Sequence, residues 1–475
     1  MRADEHARRR VVAFVYPLPL GARSHVQPSF PIARSLVDAG HHVHYLGSAE
    51  IRRVMEATGA RVHLAEDFPD DGSAQRAGGA AKYWPALSKQ HGPMIAKLLL
   101  QNVTLEGCLG GAVRFLRDVT PDVVVFCPIV CRVGGMAAKV VGVPSVALNP
   151  FAGLAAYYYA VGHFLDWAGL QACDLDRMMR EFEPHVSATA RLNERFGLVL
   201  STGYGPPYGL NDSMASARFA LTTTCEGLQD PMTDELQRAF TEIGVALEAV
   251  GPLLDAPGAL GLHADGEDVV ARVRAAREAC RLVVLVSLGT VITSDAPWIG
   301  WGGHFLDSGG EACGISGCEL CRAAWGGAFD AFGSADEGDG ALLLVVLGAQ
   351  LDALGPLALP PNAICRPWLP QVDLLRAGID VFVTHGGQNS FTEALAHGAP
   401  MVVCPGFGDQ ITNGSRAARL GVGLKVDRPF GRDAAQDQAA GYRGSVRDAA
   451  RRVASEPAFG VAAAGYAAEL HASGG

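Results

Sequence analysis

The chain has 475 residues, and its 39 Lys and Arg stand against 49 Asp and Glu, for a formal net charge of −10. That acidic balance excludes the basic face a nucleic-acid binder needs. A hydrophobic share of 49% with only 19% charged residues excludes a disordered chain. The length implies two or three domains, with core enough to need no metal or disulfide staple. Eleven cysteines, an odd number, are scattered along the chain, several inside apolar runs such as VVVFCPIV and PMVVCPG. This fits buried free thiols in a reducing compartment, the cytoplasm, rather than a disulfide framework. No run of 18 apolar residues exists, so no membrane-spanning helix is expected, while peripheral contact with a membrane stays open.

The N-terminal VVAFVYPLPLGA is broken by Pro17 and Pro19 and reads as a first strand rather than a signal peptide. Short apolar runs follow at His42–Leu46, Val123–Phe126 and Ser145–Leu148, and again at Leu282–Ser287, Leu342–Leu347, Val381–Val383 and Met401–Cys404. Runs such as VVVF and LLLVVL do not alternate, so both faces of their sheet must be covered. Strand and helix patterns alternating in this way predict an α/β doubly wound parallel sheet, and the pattern starts twice. The Gly- and Pro-rich stretch Val250–Asp268 reads as the linker between an N-terminal domain, 1–249, and a C-terminal domain, 269–475. Two stretches interrupt the alternation: residues 151–200, aromatic and helical in pattern, and residues 296–340, which read as an inserted Gly-rich loop before a short helix. The last 30 residues are Ala-rich and helical in pattern.

The segment from Trp368 to Gln410 spans 43 residues and carries the sharpest signal. VFVT, Val381–Thr384, is a buried strand that runs into His385-Gly386-Gly387, and a helix is expected at about Asn389–His397. A turn without Cβ atoms, ending on a helix N-terminus, presents free N–H groups and a favourable dipole to a diphosphate. Ser390 and Glu393 also fit a capping box, a purely structural reading of the same residues. The elements W-x-P-Q, H-G-G-x-N-S-x-x-E and D-Q stand here in order. In this they resemble the donor-binding box of the UDP-dependent glycosyltransferases of family 1, in a His-Gly-Gly form closer to macrolide- and sterol-type members.

The resemblance implies a GT-B fold, two Rossmann-like domains facing across a cleft, with UDP-sugar as co-substrate and neither a cofactor nor a metal. It also implies roles. Trp368 would stack on uracil with Gln371 beside the base or ribose. His385, Gly386 and Gly387 would hold the diphosphate, with Asn389 and Ser390 adding hydrogen bonds. Glu393 would accept from the ribose hydroxyls, and Asp409 and Gln410 would bind the sugar. LVVLVSLGT at 282–290 matches the family's S-x-G-[ST] turn and makes Thr290 a phosphate donor.

In the N-terminal half, RSHVQPSFPIARSLVDAGHHVHYLG resembles the family's G-H-x-x-P element, with Ser24 in place of the Gly and with His25 and Pro28 standing. His25, near neutral in pKa by type, is then the general base. His41, His42 and His44 read as structural. Many members hold that base with an Asp at the end of the strand after P-D. Here Cys127 occupies the place and Asp122 sits at the wrong end of the strand, so another acid would have to serve His25 or the dyad is incomplete.

The expected activity is inverting transfer of a hexose, with glucose suggested by Gln410, to a small hydrophobic acceptor met by residues 151–200. Alternatives are a catalytically silent nucleotide-sugar binder and a UDP-N-acetylglucosamine transferase or epimerase. Cys313, Cys318 and Cys321, with His304 upstream, admit a zinc site as a rival reading of the insertion. The chain stops at Gly475, before the last helix that family members usually add, which raises the expectation of a shortened C-terminus.

Overall fold

The computed structural model describes residues 9–17, 23–70, 79–205, 214–255, 258, 264–296, 299–306, 311–338, 340–431 and 434–472. Part of the expected linker, 250–268, lies outside them. The chain divides into two compact units, Met1–Leu260 and Gly261–Gly474.

All eight apolar runs become strands. In the first unit these are β1 (Val11–Val15), β2 (His42–Gly47), β4 (Val123–Phe126) and β5 (Ser145–Asn149), joined by β3 (Arg61–Leu64), β6 (Phe219–Thr222) and β7 (Ala246–Ala249). They form one seven-stranded sheet in the order β3-β2-β1-β4-β5-β6-β7, every pair parallel. The second unit holds β8 (Val283–Ser287), a small antiparallel pair β9 (Phe305–Leu306) and β10 (Ala312–Cys313), then β11 (Leu342–Val346), β12 (Ala363–Arg366), β13 (Val381–Thr384), β14 (Met401–Val403) and β15 (Gly423–Lys425). Six of these make a second parallel sheet, β12-β11-β8-β13-β14-β15. β8 is buried along its whole length, as a central strand covered on both faces must be.

Strand order reverses between β1 and β4 in one sheet and between β8 and β13 in the other. In an open parallel sheet the crevice beyond the carboxyl ends of such a strand pair is where ligands bind. The opposite ends are tied by matching devices. Asp122 accepts the Val11 N–H at 2.8 Å in the first unit, and Asp380 accepts the Val283 N–H at 2.8 Å in the second. Asp122 is thus a fastener of β1, paired with Arg10 at 3.3 Å.

The aromatic stretch 151–200 forms three helices, Ala155–Ala168, Ala172–Glu181 and Glu183–Phe196. The stretch 296–340 corrects the sequence reading: its helix is not short but runs 16 residues, Gly317–Phe332, opened by a Ser316–Glu319 capping box. In its described residues the Gly-rich stretch before it is turn and loop apart from the pair β9 and β10, while glycines inside the helix are packing residues. A Cβ on Gly327 would stand 2.6 Å from the Arg443 carbonyl, so their absence lets this helix lie close against Gln436–Ser455. The Ala-rich C-terminus splits into that helix and Pro457–Ala472, whose His471 Nε2 meets the Ala396 carbonyl oxygen at 2.8 Å.

Candidate active site

In the second unit, β13 ends at Thr384 in register with Ser287 of β8, so the His385-Gly386-Gly387 turn and the Leu288-Gly289-Thr290 turn leave the sheet side by side. The His385 N–H donates to the Ser287 carbonyl at 3.3 Å. Gly386 has φ +78° and Gly289 φ +77°, a left-handed backbone that suits glycine. A Cβ on Gly289 would overlap the His385 imidazole, and one on Gly387 would lie 2.6 Å from its Nε2. The ring is therefore seated between two glycines. Burial pushes the His385 pKa down to about 4, so the imidazole is neutral at pH 7. It can offer a phosphate a hydrogen bond but no standing charge. Its Nδ1 is buried with no hydrogen-bond partner among the described residues.

The helix after the turn runs Gln388–Ala396 with Gly387 as N-cap. Ser390 and Glu393 lie inside it, and no capping box forms. Instead Gln371, the first residue of the helix Gln371–Gly378, donates from Nε2 to Ser390 Oγ at 3.0 Å and to Glu393 Oε2 at 2.6 Å. The first and middle elements of the box are thus one polar cluster. Trp368 stands just before it, 40% exposed, an aromatic face kept at the surface. Asp409 Oδ2 accepts the Gln388 N–H at 3.0 Å, a carboxylate at the helix N-terminus where the dipole favours it. Gln410 is buried, and its Oε1 accepts from the Gly406 N–H at 2.7 Å and the Phe407 N–H at 3.3 Å, holding the loop after β14. Thr290 is exposed in its turn, and Asn389 is half-buried in the first turn of the helix.

Two residues here escaped the sequence reading. Asn413 Nδ2 donates to the Gly386 carbonyl at 2.8 Å and so pins the glycine turn, while Arg428 Nη2 donates to the Gly406 carbonyl at 2.8 Å. Both act on backbone from distant positions, and only the polar face of a helix hinted at Asn413. Cys321 is buried on the inner side of its helix, its thiol pushed up to about 12 by burial. His304 Nδ1 faces the Gly302 carbonyl at 2.9 Å. Among the described residues no group of three or more His, Cys, Asp or Glu is gathered for a metal.

In the first unit, Cys127 directly follows β4, and His25 lies on the short helix Arg23–Val26 after β1. Cys127 Sγ and His25 Nδ1 are 3.5 Å apart, so the thiol does occupy the place of the expected carboxylate. The Phe151 ring meets His25 edge-on at 5.8 Å. Burial, and then the Lys97 charge, lower the His25 pKa to about 3. Burial raises the Cys127 thiol to about 11, although nearby backbone amides pull it back. At pH 7 the pair is therefore an uncharged imidazole beside an S–H group. A carboxylate can only accept from Nδ1–H, which forces the proton onto Nδ1 and leaves Nε2 basic. A thiol can donate or accept, so it does not enforce that tautomer. Of the other histidines, His41 Nδ1 accepts from the Arg10 N–H at 3.2 Å, and His44 Nδ1 meets His63 Nε2 at 3.0 Å.

Residues 347–430 match the family model described as UDP-glucoronosyl and UDP-glucosyl transferase. The UDP-glucuronosyltransferase 3A1 of Mus musculus is 51% identical over 73 residues, 15% of this chain and 14% of the relative. The chain thus matches only about a seventh of that relative's length. Among solved structures, the calicheamicin glycosyltransferase CalG4 aligns over 98% of this chain and 96% of its own, with TM-score 0.64 and 21% identity. The glycosyltransferase VinC, solved in complex with dTDP, aligns over the same shares with TM-score 0.57 and 18% identity. Those identities speak to the fold alone, and the family likeness rests on the 347–430 segment. No helix among the described residues is long and apolar enough to cross a membrane. In its donor-side segment the chain is similar to the UDP-glucuronosyl and UDP-glucosyl transferases, and its fold is the GT-B fold of the solved glycosyltransferases.

Proposed function

We propose that the chain is an inverting glycosyltransferase that moves a hexose from a UDP-sugar to an oxygen of a small, hydrophobic acceptor. The observation that carries this reading is the seating of His385 between Gly289 and Gly387, at the point where strand order reverses. There the N–H groups opening the helix Gln388–Ala396 and the Thr290 hydroxyl supply donors for a diphosphate without a metal. Trp368 offers a face for the uracil, and Gln371, Ser390 and Glu393, already joined, suit the ribose. Asp409 is left for the sugar. Gln410 supports the loop of that subsite rather than reading the sugar with its carbonyl. Glucose and glucuronate are both consistent with this arrangement.

On the acceptor side, His25 Nε2 has no hydrogen-bond partner among the described residues and is the atom that would take the acceptor proton. The acceptor oxygen attacks the anomeric carbon, the bond to the β-phosphate breaks, and UDP leaves with the electron pair. Phe151 and Tyr157 make the surroundings apolar, which supports a hydrophobic acceptor. The test is UDP release from UDP-glucose, UDP-glucuronate and dTDP-glucose over a panel of hydrophobic hydroxyl compounds, with excess EDTA, for wild type and His25→Ala. We expect release with a UDP-sugar, about 10²–10⁴-fold slower in His25→Ala. Binding of UDP-sugar without release to any acceptor would favour a silent binder, and complete loss in EDTA would sink the metal-free route.

A further inference from the structure

The turn that seats His385 is itself held from behind. After β8 the chain turns through residues 289–295, and Thr293, only 4% exposed, closes that turn. Its Oγ1 donates to the Gly289 carbonyl at 2.9 Å, and its N–H reaches the same oxygen at 3.4 Å. Gln350, half-buried in the loop after β11, donates from Nε2 to the Thr293 carbonyl at 3.2 Å and to Asp295 Oδ1 at 3.0 Å. The same loop presses on Thr293 through Gly348, where a Cβ would stand 2.4 Å from Thr293 Oγ1. The Gly348 N–H donates to the Pro367 carbonyl at 3.1 Å, immediately before Trp368. On the other side of the turn, a Cβ on Gly406 would stand 2.5 Å from Ile292 Cδ1. The turn therefore also packs on the loop that Gln410 and Arg428 hold.

Position 289 has no room for a side chain, because a Cβ there would overlap the His385 ring. A residue that must be glycine has the widest backbone freedom, so this turn needs a restraint from outside itself. Thr293 supplies it by tying the Gly289 carbonyl, and Gln350 ties Thr293 in turn. The chain of contacts runs from the His385 seat through Gly289, Thr293 and Gly348 to Pro367, beside Trp368. We propose, on the transferase reading above, that Thr293 and Gln350 are positioning residues for the nucleotide donor, fixing the spacing between the face offered to its base and the groups offered to its diphosphate. Neither residue touches the reacting atoms. They act through the turn that aims Thr290 and seats His385.

The test uses Thr293→Val, which keeps the shape and removes the hydroxyl, Thr293→Ser, which keeps the hydroxyl, and Gln350→Leu. Thr293→Val should weaken UDP binding about five- to tenfold by calorimetry and raise the KM for UDP-sugar by as much, with kcat changed less than about threefold and the acceptor KM unchanged. Thr293→Ser should restore most of the donor affinity, and Gln350→Leu should give a smaller loss of the same kind. Independently of any ligand, the NMR titration of the His385 ring should move up from about 4 in Thr293→Val, as its seat opens to water, and return in Thr293→Ser. Unchanged UDP affinity and an unmoved His385 titration in a folded Thr293→Val protein would overturn the brace. Serine failing as badly as valine would also overturn it, since packing and not the hydroxyl would then hold the turn. A moved His385 titration in Thr293→Val, with no binding of UDP-sugar by wild type, would uphold the brace and remove the transferase reading.

Discussion

The two units place a histidine at the same topological point, after the central strand or its neighbour where strand order reverses, yet they build its surroundings from opposite materials. Around His385 nearly everything is backbone and glycine: Gly289, Gly387, the turn at Gly386 and a helix N-terminus. Around His25 it is side chains: a thiol at 3.5 Å and a phenylalanine edge, with the Lys97 charge acting on the ring. A diphosphate asks for many fixed N–H donors, which backbone supplies without mobile parts. A nucleophilic oxygen asks for one proton and one charge to be managed, which only side chains do. Both rings are neutral at pH 7 because burial holds both down, but on the proposed function the first has only to donate a hydrogen bond while the second is asked to be a base.

That contrast can be broken at its strongest point by Gly289→Ala. The new Cβ enters the space of the His385 ring and sits on a left-handed backbone, costs of about 1–3 kcal/mol each. UDP affinity measured calorimetrically should fall at least about tenfold, while binding of acceptor-sized ligands to the first unit is unchanged. An equal loss at both sites would mean that the fold, not the turn, was damaged.

Acid should separate the units. In the first, burial holds His25 down to about 3 and His44 and His185 down to about 4; in the second, His385 is held at about 4. A histidine depressed in the folded state lets the unfolded chain take up the proton first, so stability is complete above about pH 6.5 and is lost as pH falls toward 4. The fully buried His185 alone accounts for about 2 kcal/mol between pH 6.5 and 5. Hydrogen exchange at pH 5 should therefore show the first unit opening before the second. Simultaneous opening would contradict the assignment.

Cys127→Asp sharpens the comparison from the other side. A carboxylate at Nδ1 fixes the basic tautomer and raises the His25 pKa. The acid limb of the rate–pH profile should move to higher pH, and kcat/KM on neutral alcohols should rise about tenfold. An unmoved acid limb would show that Cys127 does not govern the ring. The smallest effect belongs to the two strand fasteners. Asp122→Ala and Asp380→Ala each remove one backbone hydrogen bond at the end of the sheet away from the site, and each should cost about 1 kcal/mol in urea unfolding with donor affinity unchanged.

What the sequence made legible follows the same division. Eight strands announced themselves because they lie inside the sheets and carry apolar runs. β3, β7, β12 and β15 did not, because each is an edge strand with half-exposed faces, and β6 lies next to an edge. The segment proposed as donor box could be read as a strand, a glycine turn and a helix, since these are nearly contiguous in the chain. His25 and Cys127 are 102 residues apart, and their pairing could be inferred only by family likeness. The helix Gly317–Phe332 was read too short because Gly326 and Gly327, which let it lie against its neighbour, look unfavourable in a helix.

The seating of His385 between two glycines also limits how this site can change over generations. Position 289 can gain a side chain only after position 385 has lost its ring, and the ring has its room only while 289 and 387 remain bare. In a library varying these positions singly, nearly every variant should be lost, whereas Gly289→Ala paired with His385→Ala should fold with only the backbone part of the penalty remaining. On the proposed function, routes to a new donor preference through this turn therefore require simultaneous substitutions, while the side-chain-built surroundings of His25 lie open to change one residue at a time.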